Sequence, residues 1–256
     1  MKDSFDDLAN EIKKRSEGKT VIYFANPGNF GDGLIRYSTK KFFYDYGIKH
    51  EEYTLRTHRV YLSLLPFVFN IKKFFFIYGG GGAWCKNYRF ANDFYNILSR
   101  FTSDILVLPS TYELKQNKVK GVIYRRDNFE SKLNAPTSLF CHDMAFYLTT
   151  CKESIIKKPM FREGNLFRTD IESSGHEVKS DNVDLSTKGD YLSNGDIFLE
   201  EISRYEVINT DRLHVCIGAI HLGLEVNLFP GNYFKIKSIY KTSIEEYFNK
   251  VNFLER

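Results

Sequence analysis

Short apolar runs alternate with stretches of helical period along most of the chain. Residues 20–25, Thr20-Val21-Ile22-Tyr23-Phe24-Ala25, form an apolar run that predicts a buried strand. Residues 73–78, 104–109 and 120–124 read the same way, and 51–55 predicts a further strand. Between them, 6–14, 34–46 and 88–100 carry a helical period. Phe5, Leu8 and Ile12 lie on one side of the first, and Ile35, Phe42 and Tyr46 on one side of the second. This alternation predicts a doubly wound α/β unit with a parallel sheet. In such sheets ligands bind beyond the carboxyl ends of the strands. Three loops fall there: 26–33, the run Gly79-Gly80-Gly81-Gly82, and the loop after Tyr124.

The pattern breaks at 152–188, a polar stretch in which Glu172-Ser173-Ser174-Gly175 and Lys179-Ser180-Asp181-Asn182 read as loop. We read it as the crossing into a second half. That half holds a strand at 206–209, a helix opened by Arg212, a strand at 225–229 and a C-terminal helix at 243–249. The expected domains are an N-terminal Rossmann-like one over 1–150 and a smaller Rossmann-like one over 151–256.

Composition narrows the classes. At 256 residues with 43% hydrophobic content, the chain supports a substantial core rather than disorder. A net charge of +4 without a dense Lys/Arg run does not point to nucleic acid, though it suits anionic small substrates or an anionic membrane surface. Cys85, Cys141, Cys151 and Cys216 form no Cys-x-x-Cys pair, which argues against zinc and for a reduced, cytoplasmic setting. Residues 1–19 are charged and lack the apolar core of a signal peptide. The most apolar window, 60–71, contains Pro66 and is too short to span a bilayer. It reads as core or aromatic flap, with a membrane-contacting surface as the sharper alternative.

Chemistry concentrates at predicted strand ends. Thr210-Asp211-Arg212-Leu213-His214 places an arginine and a histidine where a helix begins, beside a strand end. First-turn N–H groups lack intrahelical partners and carry partial positive charge, which suits phosphate or carboxylate. Arginine adds a planar fork of donors, and histidine a proton exchanged near neutrality. Around Asn29-Phe30-Gly31-Asp32, the glycines Gly28, Gly31 and Gly33 are wrongly spaced for a dinucleotide fingerprint. Asp32 reads equally as a helix cap or as a carboxylate meeting substrate. Gly80 and Gly81, inside four successive glycines, read as a backbone cradle for phosphate or sugar, against a tight turn beside Trp84. Arg125-Arg126-Asp127 follows a strand and reads as anion binding or surface solvation. His142 reads as a core histidine or a general acid/base. Arg168, Asp170 and Glu172 alternate on a solvated edge or point inward from a strand end.

Taken in order, these pieces resemble the polysaccharide pyruvyl transferase family. The matching features are Gly28-Asn29-Phe30-Gly31-Asp32, the loop Gly79 to Gly82, Arg126-Asp127 with Ser131, His142-Asp143-Met144-Ala145, Arg168-Thr169-Asp170-x-Glu172 and Asp211-Arg212-Leu213-His214. The resemblance implies a GT-B-like α/β fold of two Rossmann-like halves with a cleft between them, here with the second half reduced. It implies an enzyme of cell-surface polysaccharide synthesis, making exopolysaccharide or capsule, that moves the enolpyruvyl unit of phosphoenolpyruvate onto two sugar hydroxyls as a pyruvate ketal. Carried over by position, Arg212 and His214 meet the phosphoenolpyruvate, with Arg126 or Arg125 as a second arginine. Leu213, Asn29, Gly31, Gly80, Gly81 and Arg168 belong to the substrate-binding set. His214 is then the general acid, or an imidazolium holding phosphate, and Asp32, His142 or Asp170 the base. The scheme needs no metal and no cofactor beyond the donor. Its partners are phosphoenolpyruvate and a saccharide acceptor, free or lipid-linked, with peripheral association at the inner face of the membrane. The alternatives are a GT-B-type glycosyltransferase using a nucleotide sugar, and a non-catalytic carbohydrate- or membrane-binding protein.

Overall fold

The structure is a computed structural model and describes residues 1–56, 60–85, 90–117, 119–151, 159–170, 172–173 and 180–255. Its contacts divide the chain into two units. One is Met1–Pro27 with Thr39–Met144, and the other is Gly28–Ser38 with Ala145–Arg256. The segment Gly28–Ser38 thus groups with the later part of the chain rather than with its sequence neighbours.

The first unit is built on a parallel sheet of β1 (Thr20–Phe24), β2 (His50–Glu52), β3 (Phe74–Tyr78), β4 (Gly81–Trp84), β5 (Ile105–Tyr112), β6 (Val122–Arg125) and β7 (Leu139–Phe140). The order is β2-β1-β3-β5-β6-β7, and β4 pairs with the far end of β5. Every residue of β5 is buried, as expected of a central parallel strand. The helices are α1 (Lys2–Arg15), α2 (Phe30–Asp45), α3 (Val60–Leu64), α4 (Phe90–Leu98) and α5 (Glu130–Asn134). The first turns of α2 belong to the second unit. Aromatic rings fill the core around β3. Phe67 meets Phe24, Tyr53, Phe74 and Phe76 edge-on at centroid distances of 5.0–6.1 Å, the geometry that aromatic quadrupoles favour.

The second unit holds a separate parallel sheet of β8 (Phe161–Asn165), β9 (Tyr205–Thr210), β10 (Glu225–Leu228) and β11 (Val251–Phe253), in the order β11-β10-β9-β8. Its helices are α6 (Gly195–Ile202), α7 (Leu213–His221) and α8 (Lys235–Ile239). Parallel sheets with interleaved helices make this a Rossmann-like α/β chain.

Several elements depart from the sequence reading. β8 falls inside the polar stretch read as the crossing between the halves. Its residues 161–163 are exposed, so no apolar run announced it. Two of the four glycines after β3 open β4 rather than a loop. The C-terminal helix lies at Lys235–Ile239 and continues as a π-turn over Tyr240–Ile244 instead of occupying 243–249. The wide turn keeps Ile239 and Ile244, five apart, both buried. The expected start of the 88–100 helix at 88–89, and positions 152–158, 171 and 174–179 of the polar stretch, lie outside the described residues.

Candidate active site

The early loop and the Arg-Leu-His segment meet within the second unit. Asn29 caps α2: its Oδ1 accepts from Gly31 N–H at 2.9 Å, and Asp32 Oδ2 accepts from Asn29 N–H at 3.0 Å. This reciprocal pair is a capping box, and it satisfies donors that a helix start leaves orphaned. A Cβ on Gly31 would lie 2.7 Å from His214 Nδ1 and 3.2 Å from His214 Cβ, so Gly31 is glycine because the His214 ring fills that space. Three more glycines let the loop and α2 dock closely. A Cβ on Gly33 would strike Asp190 O, one on Gly189 the Phe30 ring, and one on Gly195 the Tyr37 ring. Phe30 packs edge-on against Phe198 at 5.0 Å, and Tyr37 Oη donates to Asp196 at 2.7 Å.

Arg212 is the residue before α7, with extended backbone and no side-chain cap on the helix. Its Nη2 donates to Asp184 at 2.6 Å and Asp170 at 3.0 Å, while its buried Nε has no hydrogen-bond partner among the described residues. Asp184 Oδ2 also accepts from Thr169 N–H and Oγ1, and its Oδ1 from Ser186 N–H and Oγ. Burial alone would raise the Asp184 pKa, but Arg212 and these donors outweigh it and bring it down to about 2.

Arg168 lies just past the carboxyl end of β8 and is buried, as is Glu172, whereas Asp170 is exposed, so the inward-pointing reading applies to two of the three residues. It forms a bidentate pair with Asp170 and a second ion pair with Glu172 at 2.7 Å. Glu172 in turn takes Lys235 at 2.9 Å, whose ammonium lies 4.9 Å from the Tyr233 ring centroid. Burial would lower the Arg168 pKa, and its carboxylate partners reverse that. For Asp170, burial works toward a raised pKa, but Arg168 and Arg212 hold it below the usual carboxylate range. Asp211 Oδ1 accepts from Arg168 N–H at 2.8 Å, tying the 168 segment to the start of α7. Burial raises the Asp211 pKa against that bond.

The residues expected from the first unit have structural duties there. Arg126 is 1% exposed, pairs with Asp143 and donates from Nε to Thr111 Oγ1 at 2.8 Å. That guanidinium is held by partners of its own unit. Asp127 accepts from Phe129 and Ser131 N–H groups and the Ser131 hydroxyl, and Ser131 Oγ accepts from Tyr112 N–H at 2.9 Å. Arg125 is half-buried and held by neutral acceptors, Asn128 Oδ1 and Ser138 O, with its guanidinium 5.7 Å from the Phe140 ring centroid. His142 packs against Phe5 and Phe140, and burial pushes its pKa down to about 4. That is a core histidine, not a proton carrier near neutrality.

Packing and backbone geometry also explain three of the four glycines in the run. A Cβ on Gly79 would lie 2.6 Å from Asn26 N, one on Gly80 would lie 2.3 Å from Pro109 O, and Gly81 has φ +117°. Close strand contact and a backbone conformation that side chains disfavour require these glycines without any ligand.

Asp184 and Lys235 escaped the sequence reading. Asp184 with Ser186 two residues on has the form of a cap, but its reach to Arg212 depends on the tertiary fold.

The chain is similar to proteins already known. A solved structure from Klebsiella pneumoniae subsp. pneumoniae NTUH-K2044, described as a functionally uncharacterized protein, is 27% identical, with a TM-score of 0.77 and 97% of each chain covered. No curated protein matches. The model of the family described as polysaccharide pyruvyl transferase matches residues 29–229, a span that opens at the Asn29 cap and includes Arg212 and His214. The chain therefore belongs to the polysaccharide pyruvyl transferase family, a family of transferases that act on polysaccharide.

Proposed function

We propose that this chain transfers the enolpyruvyl unit of phosphoenolpyruvate to two hydroxyls of a saccharide, free or lipid-linked, forming a pyruvate ketal and releasing phosphate. The observation that carries this reading is the contact of His214 with Gly31 beside Arg212 at an uncapped helix start. It joins in one unit a proton-exchanging ring, a guanidinium and helix N–H groups, which suit a ligand bearing carboxylate and phosphate together.

In the proposed reaction the methylene carbon of the donor gains a proton, and one hydroxyl oxygen bonds to the adjacent carbon. The bond from that carbon to the phosphate oxygen then breaks, and the second hydroxyl closes the ketal. Of the two hydroxyl protons, one balances the proton added to carbon and the other leaves with phosphate. His214 supplies the proton, and Arg212, fixed by Asp170 and Asp184, holds the anion. Asp32 takes the acceptor proton. Asp170 is unsuited to that role because its oxygens bind two guanidinium groups.

Thermal unfolding with phosphoenolpyruvate tests the donor, since a ligand that binds only the folded state raises the melting temperature. The expected result is a rise for the unsubstituted protein that Arg212→Ala abolishes. A rise only with UDP-sugars would replace this reading with a glycosyltransferase.

A further inference from the structure

The segment from α3 through the following 3-10 helix (Leu65–Lys73) has its polarity inverted. Its inner side is fixed: Ser63, Leu64 and Phe67 are buried, and Phe67 is clamped by four aromatic rings. Its outer side is apolar. Tyr61 is 56% exposed, Leu65 54%, Val68 41% and Phe69 94%. Leu65 and Val68, three apart in the 3-10 helix, share a face, and Tyr61 and Phe69 are exposed on either side of them in sequence. Scattered exposed apolar residues need no explanation, but four within nine residues of an anchored element form a patch.

The charges carried by the segment itself are of one sign. Residues 56–73 contain Arg56, Arg59, Lys72 and Lys73 and no Asp or Glu. Arg56, Lys72 and Lys73 are exposed. An apolar face rimmed by cations matches the two layers of an anionic lipid surface, acyl boundary and headgroups. A protein partner would need a complementary acidic, apolar surface, and a second copy of this chain would bring like charges together.

We propose that Tyr61, Leu65, Val68 and Phe69 insert into an anionic membrane surface while Arg56, Lys72 and Lys73 meet its headgroups, making the enzyme a peripheral membrane protein. The inference is independent of the donor and of the residues around Arg212.

Co-sedimentation of the full chain with vesicles tests it. The expected result is binding to phosphatidylcholine vesicles containing phosphatidylglycerol, much weaker binding to phosphatidylcholine alone, and loss with rising salt. Phe69→Ser combined with Leu65→Ser should weaken binding about tenfold or more at constant salt. Lys72→Ala with Lys73→Ala should weaken it at low salt and flatten the salt dependence. The substituted side chains are exposed, so the melting temperature and its response to phosphoenolpyruvate should match those of the unsubstituted protein. No binding to anionic vesicles, binding unchanged by the Phe69 and Leu65 substitutions, or a dimer that Phe69→Ser dissolves would overturn the proposal.

Discussion

Single residues in this chain divide by what surrounds them. His142 and His214 look alike in sequence, each beside an aspartate or arginine near a strand end. His142 is enclosed by Phe5 and Phe140 with its pKa pushed down to about 4, whereas His214 is half-buried at a helix start. The sign of the pH effect follows. His142 stays neutral when folded but gains a proton near pH 6.5 when unfolded. Its contribution is therefore complete above pH 6.5 and is lost as pH falls toward 4. We expect a loss on the order of 3 kcal/mol across that window. Urea unfolding at pH 7, 5.5 and 4 should show the slope, and His142→Phe should flatten it. An unchanged slope would mean another group titrates there. Asp184 acts lower: its stabilisation holds above about pH 4 and disappears as the pH falls toward 2. Phe5 of α1 and the Gly31 loop are distant in sequence from the histidines they meet, so local sequence could not tell the two apart.

At the scale of elements, local chemistry was legible and tertiary pairing was not. The capping signal of Asn29 and Asp32 stands in the sequence, and α2 begins at Phe30 accordingly, four residues ahead of the expected start at Leu34. Central strands β1, β3, β5 and β6 were readable because both faces are buried and the apolar runs are continuous. Edge strand β8 carries Arg162 and Glu163 in its exposed half and left no such trace. The glycine loops were visible, but the reason for Gly31, Gly33, Gly79 and Gly80 lies in a distant backbone or ring. The contact between the Asn29–Asp32 loop and α7 gives a direct test. Gly31→Ala places a methyl group into the His214 ring and should cost about 1–3 kcal/mol as overpacking. It should also cut turnover well beyond the loss of stability, because His214 must move. Turnover that follows stability alone would show that the contact is packing only.

The whole molecule combines two parallel sheets, one in each unit, with a family assignment that spans most of the chain. Among the described residues no helix is long and apolar enough to cross a membrane, so membrane contact would rest on the exposed Phe69 face. The solved Klebsiella pneumoniae relative is matched over 97% of its own length and of this chain, so the likeness takes in both units. The family's order of motifs was legible because its residues sit at strand ends and helix starts. Their division of labour was not. Arg126, Asp127 and Ser131 brace the first unit, whereas Arg168, Asp170, Asp184 and Arg212 form one ionic network in the second. The most direct measurement is mass spectrometry of galactosyl and mannosyl acceptors incubated with phosphoenolpyruvate, alongside phosphate release. The expected result is a pyruvate ketal on the acceptor that is absent with Arg212→Ala and His214→Ala. Full ketal formation by both variants, or sugar transfer from a nucleotide sugar in its place, would contradict it.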